Sequence, residues 1–240
     1  MSLQRIARGG VARIRTTLGV IRRAPHRVMS RTIAIWLRHK GVRVGRNCDF
    51  WGFPIVFMEV GTSIIIGDGV TIRSDTWSNP LNQGQRAVLA TTVRGARLEI
   101  QDGVGVSSSV FMATKSIVVG RETLVGAGAF IIDTDAHPRC PACRDEERPV
   151  EGRPVEIGPR CFIGARVTIL KGTELGEGSV VGASSVVAGG TYPADSLVAG
   201  NPAKVMGTCT CAEHRATNTG VRRIERCTQQ RDSRSTSRPN

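Results

Sequence analysis

His137 is the side chain in this 240-residue chain best suited to proton chemistry at neutral pH. It lies in Asp133-Thr134-Asp135-Ala136-His137-Pro138, with a carboxylate two residues before the imidazole. A neutral imidazole titrates near pH 7, so it can take the proton of a weak nucleophile such as a hydroxyl as a new bond forms. Asp135 can accept the other ring N–H and hold the tautomer, unless the turn between them points it away. Asp133 adds a carboxylate for contact with a substrate. His26, His39 and His214 lie in or beside the basic ends and are read as surface residues. His137, Cys140 and Cys143 are metal-ligating types, but one C-x-x-C without a second pair is a weak zinc signal, and a metal would occupy the base. No metal is expected there. Cys209, Cys211, His214 and Cys227 form a second scattered cluster, and reversible thiol oxidation is the other chemistry open to either group of cysteines.

The elements that must position His137 announce themselves by period. Ile157, Ile163, Ile169, Leu175, Val181 and Val187 fall at six-residue steps. Small or β-branched residues (Cys161, Val167, Thr173, Ser179, Ser185) follow four places after the first five. Gly158, Gly164, Gly176 and Gly182 mark corners. No helix has a period of six, and a two-sided strand has period two. A hexapeptide repeat signals a parallel β-helix, each unit one short strand and one corner, three units to a coil. The fold class read here is an all-β solenoid, a parallel β-helix. Aromatics are only 4% of residues, which suits an interior too narrow for many rings.

The repeat begins faintly at Val42, with Val44, Ile66 and Ile72 inward and Val70 and Thr76 at small inner places. It is absent between 74 and 97, read as an inserted loop. It resumes with Ile100, Val106 and Met112, with Val104, Val110 and Ser116 inside, and then with Val119, Val125 and Ile131 beside Thr123 and Ala129. A second loop spans 133–154. The solenoid therefore covers 42–207, where Asn201-Pro202-Ala203-Lys204 ends the pattern.

The net charge of +13 is confined to the ends: residues 1–40 carry +10, residues 208–240 carry +4, and 41–207 carry −1. A neutral body argues against a nucleic-acid partner. Residues 1–41 show three- and four-residue apolar spacing among arginines, read as a basic helical cap for the first coil. The same segment offers peripheral contact with an anionic membrane. Residues 208–240 are read as a disordered tail. Seven scattered cysteines and the absence of a signal-like apolar run favour a cytoplasmic setting.

The pairing of Asp133-Thr134-Asp135-Ala136-His137-Pro138 with Pro154-Val155-Glu156-Ile157-Gly158, further repeats and Gly200-Asn201-Pro202-Ala203-Lys204 resembles the hexapeptide-repeat acyltransferases, which implies that the parallel β-helix is left-handed. The arrangement is similar to the branch that O-acetylates sugars in polysaccharide and glycan pathways. The resemblance implies acetyl-CoA as co-substrate, direct transfer in a ternary complex with His137 as general base, and a homotrimer binding coenzyme A between subunits. Carried over by motif, the coenzyme contacts are Gly164, Ala165, Ala183, Ala188, Gly189 and Lys204. Ala188-Gly189 stands where relatives often have Thr-Lys, and Ala136 where many have an aromatic. For the acceptor, the polar side chains of Asn79, Asn82 and Arg94 in the first loop suit a polyol or glycosyl phosphate, with Asp133. N-acetylation of an amine and a non-catalytic scaffold are the competing readings. A metal-dependent hydratase is disfavoured, since His137 is the one histidine within 41–207.

Overall fold

In a computed structural model, residues 26–82, 84–146 and 150–209 are described, and they belong to one compact unit ending at Cys209. The outer parts of the basic arm and the proposed disordered tail lie outside these residues. Helix α1 covers 26–39. Six coils of three strands follow. They are β1 (Arg43–Val44), β2 (Asp49–Trp51) and β3 (Ile55–Met58); β4 (Ser63–Ile66), β5 (Thr71–Arg73) and β6 (Val88–Thr91); and β7 (Arg97–Ile100), β8 (Gly105–Ser107) and β9 (Val110–Ala113). Then come β10 (Ser116–Val119), β11 (Leu124–Val125) and β12 (Phe130–Ile132), a loop carrying the short helix α2 (Pro141–Asp145), and β13 (Val155–Ile157), β14 (Phe162–Ile163) and β15 (Thr168–Ile169). The last coil is β16 (Thr173–Leu175), β17 (Val180–Val181) and β18 (Val186–Val187), followed by β19 (Gly190–Tyr192), β20 (Ser196–Gly200) and β21 (Ala203–Thr208).

Every third strand joins the same sheet, so the chain winds a left-handed, three-faced prism. The first sheet runs β1-β4-β7-β10-β13-β16-β19, the second β2-β5-β8-β11-β14-β17-β20-β21, and the third β3-β6-β9-β12-β15-β18. Pairing is parallel except at the close, where β21 folds back antiparallel on β20. Register carries the six-residue step directly into space. On the second sheet Val106, Val125, Ile163, Val181 and Val198 stack in one column. On the third, Leu89, Phe111, Ile131, Ile169 and Val187 do the same. All ten are buried. Cys161, Val167, Thr173, Ser179 and Ser185 are buried at the corners, as their small size requires.

Three local readings change. Phe111, not Met112, enters the core, and Val110 and Ser116 lie on the half-buried outer side. The corner from Gly105 to Val110 is one residue shorter than its partner from Leu124 to Phe130, and a one-residue offset exchanges the two faces of a strand. Thr76 is exposed; the inner place belongs to Ser74, which donates to the Phe53 carbonyl and accepts from the Ala87 N–H. The first insertion is shorter than expected, because Val88–Thr91 is a full strand of the third sheet, paired on both sides. Its period was hidden by the insertion before it.

The cap reading of the N-terminal arm holds for its described part. Ile33 and Leu37 of α1 are fully buried over the first coil, and Trp36 meets Phe53 edge-on. His26 is not a surface residue. Its ring stacks on Trp51 at 3.6 Å, and Nε2 lies 2.5 Å from an Asp49 carboxylate oxygen, leaving the side chain 10% exposed.

Candidate active site

The two edges flanking the third sheet hold the residues of interest. On the edge between the third and first sheets, β12 runs into the 133–154 loop. Asp133 anchors that loop from inside: it is fully buried and accepts hydrogen bonds from the Thr114 N–H and hydroxyl at 2.8 Å each, Lys115 N–H at 2.7 Å and Ser116 N–H at 2.8 Å. Its acceptor positions are taken, so the expected substrate contact is corrected to a structural one. Ala136 adopts φ 61° and the His137 N–H donates to the Asp135 carbonyl at 2.7 Å, a tight turn that turns the His137 side chain out to solvent. The Asp135 carboxylate does not meet the imidazole. It accepts from Lys171 at 2.6 Å and Arg139 at 3.0 Å, and the Lys171 ammonium holds it below the usual carboxylate range, with Arg139 adding to the effect. Asp135 thus ties the loop to the next coil.

The same edge continues through Leu170–Gly172 to Ala188 and Gly189, where Gly189 at φ 90° rests against the Lys171 carbonyl. Arg94 is exposed at the β6–β7 corner of this edge, two coils before the loop.

The edge between the second and third sheets carries the other set. Its corners stack so closely that a Cβ on Gly126 would lie 2.7 Å from the Ala165 nitrogen, and one on Gly164 2.6 Å from the Ala183 nitrogen. Ala199 packs on Gly182 one coil later, and Lys204 pairs with Ala199 on β21, exposed. Gly164, Ala165, Ala183 and Lys204 therefore share one edge, while Ala188 and Gly189 belong with His137 on the other. A groove of about 600 Å³ runs along this edge between the second and third sheets and the outer face of the second sheet. Its floor is the ladder Gly105, Leu124, Phe162 and Val180, and Asn79 and Leu81 of the insertion wall it.

Asn79 reaches this groove while donating to Ser107 Oγ at 3.1 Å. Asn82 does not: it is 4% exposed and its amide donates to the Asp75 carbonyl at 2.7 Å, bracing the insertion. The expected acceptor role of Asn82 is corrected accordingly. Sequence reasoning missed Leu124, Phe162 and Val180. Each is the outward neighbour of an inward aliphatic, and large apolar residues at that place in consecutive coils were the signal to follow.

A family model described as the hexapeptide repeat of succinyl-transferase matches residues 154–189. The chain is 33% identical over 176 residues to WbbJ of Escherichia coli (strain K12), named as an O-acetyl transferase of lipopolysaccharide biosynthesis, covering 67% of this chain and 79% of that one. It is 29% identical over 166 residues to the Mycobacterium tuberculosis protein Rv3034c, named as an acetyltransferase, covering 69% of this chain but only 49% of that longer relative. Among solved structures, AntD of Bacillus cereus, an N-acyltransferase seen with dTDP-4-amino-4,6-dideoxyglucose and coenzyme A, superposes with a TM-score of 0.57 at 16% identity, over 77% of this chain and 93% of that one. With the repeat winding a prism of this kind, and a relative of that identity matched over most of its length, the chain belongs to the hexapeptide-repeat acetyltransferase family.

Proposed function

We propose that this protein is an acetyl-CoA-dependent O-acetyltransferase of a sugar or glycan precursor, assembled as a homotrimer and acting in the cytoplasm. The observation that carries the reading is the division of the site between two edges. His137 stands on one side of the third sheet and the glycine-stacked corners with Lys204 stand on the other. The third sheet between them presents an apolar outer face, with Phe57, Val88, Val110, Met112, Phe130 and Val186. The first sheet instead turns out Arg97, Glu99, Glu156 and Glu174. Three prisms with their third sheets toward a common axis bury the apolar face and set each chain's corner edge against its neighbour's His137 edge.

In that arrangement the pantetheine arm lies along Gly164, Ala165 and Ala183, close to backbone that no Cβ obstructs, and Lys204 faces the phosphates with a charge-assisted contact. The neighbour's His137 takes the proton of the acceptor hydroxyl. The hydroxyl oxygen attacks the acetyl carbonyl, the tetrahedral intermediate collapses, and the coenzyme leaves as its thiolate, which takes up the proton. Ala188, Gly189 and Arg94 lie on the His137 edge and serve the acceptor side of the same cleft, with Asn79 at the mouth of the groove. Asp135, engaged by Lys171 and Arg139, positions the loop rather than the ring. The relative's name supports a glycan acceptor. The outward Arg27, Val28, Arg31 and Ile35 of α1 support peripheral contact with an anionic membrane surface.

The test is acetyl transfer from labelled acetyl-CoA to a panel of sugars, scored for ester against amide product. His137→Ala should lower turnover by about 10²–10⁴-fold with coenzyme affinity retained. Shared sites make a further demand. Mixing inactive His137→Ala with a corner variant, Ala183→Trp, and reassembling should restore activity at roughly a quarter of the interfaces. Amide product, unchanged H137A turnover, or no restoration on mixing would each defeat a stated part of this reading.

A further inference from the structure

Cys140 and Cys143 open α2, six and three residues before Glu146, and lie three and six residues after His137. Both thiols are reachable, Cys140 exposed and Cys143 partly so. Cys140 is the extended N-cap of α2 and Cys143 lies in its first turn, so both thiols stand at the same end of the helix. α2 is in turn fastened to the segment bearing His137. Arg144 donates to the carbonyls of Pro138 at 3.2 Å and Arg139 at 3.0 Å, and Arg139 donates to Asp135.

We propose that Cys140 and Cys143 are a reversible dithiol–disulfide modification site whose oxidant is a low-molecular-weight disulfide such as glutathione disulfide, and that closing the bond withdraws His137 from its working position. The Cys140 thiolate attacks one sulfur of the oxidant; that S–S bond breaks, one glutathione leaves as a thiolate, and a mixed disulfide forms on Cys140. Cys143 gives up its proton and attacks the Cys140 sulfur, expelling the second glutathione. Two protein thiols are oxidised, one disulfide is reduced to two thiols, and the two protein protons end on the released glutathione.

The chemistry favours Cys140 as the attacking group. The nearby Cys143 backbone N–H dipole, and then the Cys143 thiol, hold the Cys140 thiol below its ordinary range, whereas burial raises Cys48 and pushes Cys161 up to about 11. The mechanics follow from helix geometry. Cys140 has extended backbone at the N-cap, one residue before the helix proper, and a disulfide needs Cβ atoms roughly 3.5–4.5 Å apart. Closing the bond fixes that N-cap against the first turn, and any movement of α2 is carried through Arg144 to the two carbonyls it holds.

The activity half of this inference rests on the function proposed above; the chemical half does not. Full-length protein, reduced and then equilibrated in glutathione buffers, should show a Cys140–Cys143 disulfide in mapped peptides, reversed by dithiothreitol. Cys143→Ser should trap one glutathione on Cys140, and Cys140→Ser should trap none at that segment. Acetyl transfer should fall about 10- to 100-fold on oxidation and return on reduction, with the C140S/C143S double variant indifferent to the buffer. Free thiols at both positions in the oxidising buffer, or no adduct on C143S, would overturn the site. A mapped disulfide with unchanged turnover would overturn its control of His137. Absence of acetyl transfer from the reduced protein would instead sink the proposed function, while peptide mapping still decides the chemistry.

Discussion

Three acidic and imidazole side chains within five residues do three different jobs, and burial separates them. Asp133 is the buried anchor, Asp135 the half-exposed tether, His137 the exposed group left for chemistry. Replacing Asp133 by Asn puts an N–H₂ donor against N–H donors, so it should cost about 1–3 kcal/mol of stability, read as a lower midpoint in denaturant, with coenzyme affinity retained in the folded fraction. Asp135 carries a pH prediction. Its pKa is lowered by Lys171, so the tether's contribution is complete above the ordinary carboxylate range and is lost as pH falls through the depressed value. Protease cleavage within 133–154 should therefore stay slow through neutral and mildly acidic pH and accelerate only in strong acid. Lys171→Met removes the tether, so cleavage should be fast at neutral pH as well, and the Asp135 titration seen by NMR should move toward higher pH. The sequence placed these residues in one loop. It did not say which carboxylate faced inward, because that depends on where the Thr114–Ser116 corner of the preceding coil presents its N–H groups.

At the scale of strands and corners, the six-residue period is the whole device. Gly164 shows how narrow its tolerance is: with the Ala183 nitrogen 2.6 Å from where a Cβ would sit, Gly164→Val must push adjacent coils apart. Overpacking of this kind costs about 1–3 kcal/mol, and the variant should also lose coenzyme affinity, since the corner moves with it. Phe111 tests the shifted register. It is fully buried where the period nominates Met112, so Phe111→Ala should cost about 3–5 kcal/mol in chemical denaturation, far more than Met112→Ala. The period was legible wherever corners keep a constant length. It failed at the one-residue-shorter corner before β9 and after the first insertion, because a count along the chain cannot see a residue left out of a turn.

At the scale of the molecule, the two sets of site residues are separated by an apolar sheet, and the proposed trimer would bring one chain's set against its neighbour's. If the proposed trimer is the active form, Phe130→Lys, placing a charge on that outer face, should shift the protein toward monomer in light scattering and lower acetyl transfer together. By itself the sequence determined the solenoid, its six-residue step, the loop bearing His137 and the family to which these belong, because a repeat and a contiguous motif are properties of neighbours along a chain. Only the tertiary structure decided that Asp133 and Asn82 are braces, that Lys171 rather than His137 partners Asp135, and that Gly164 and Gly189 stand on opposite edges. Those facts depend on which residues of different coils are stacked in register about 4.8 Å apart, a spacing set by backbone hydrogen bonds and not by distance in sequence.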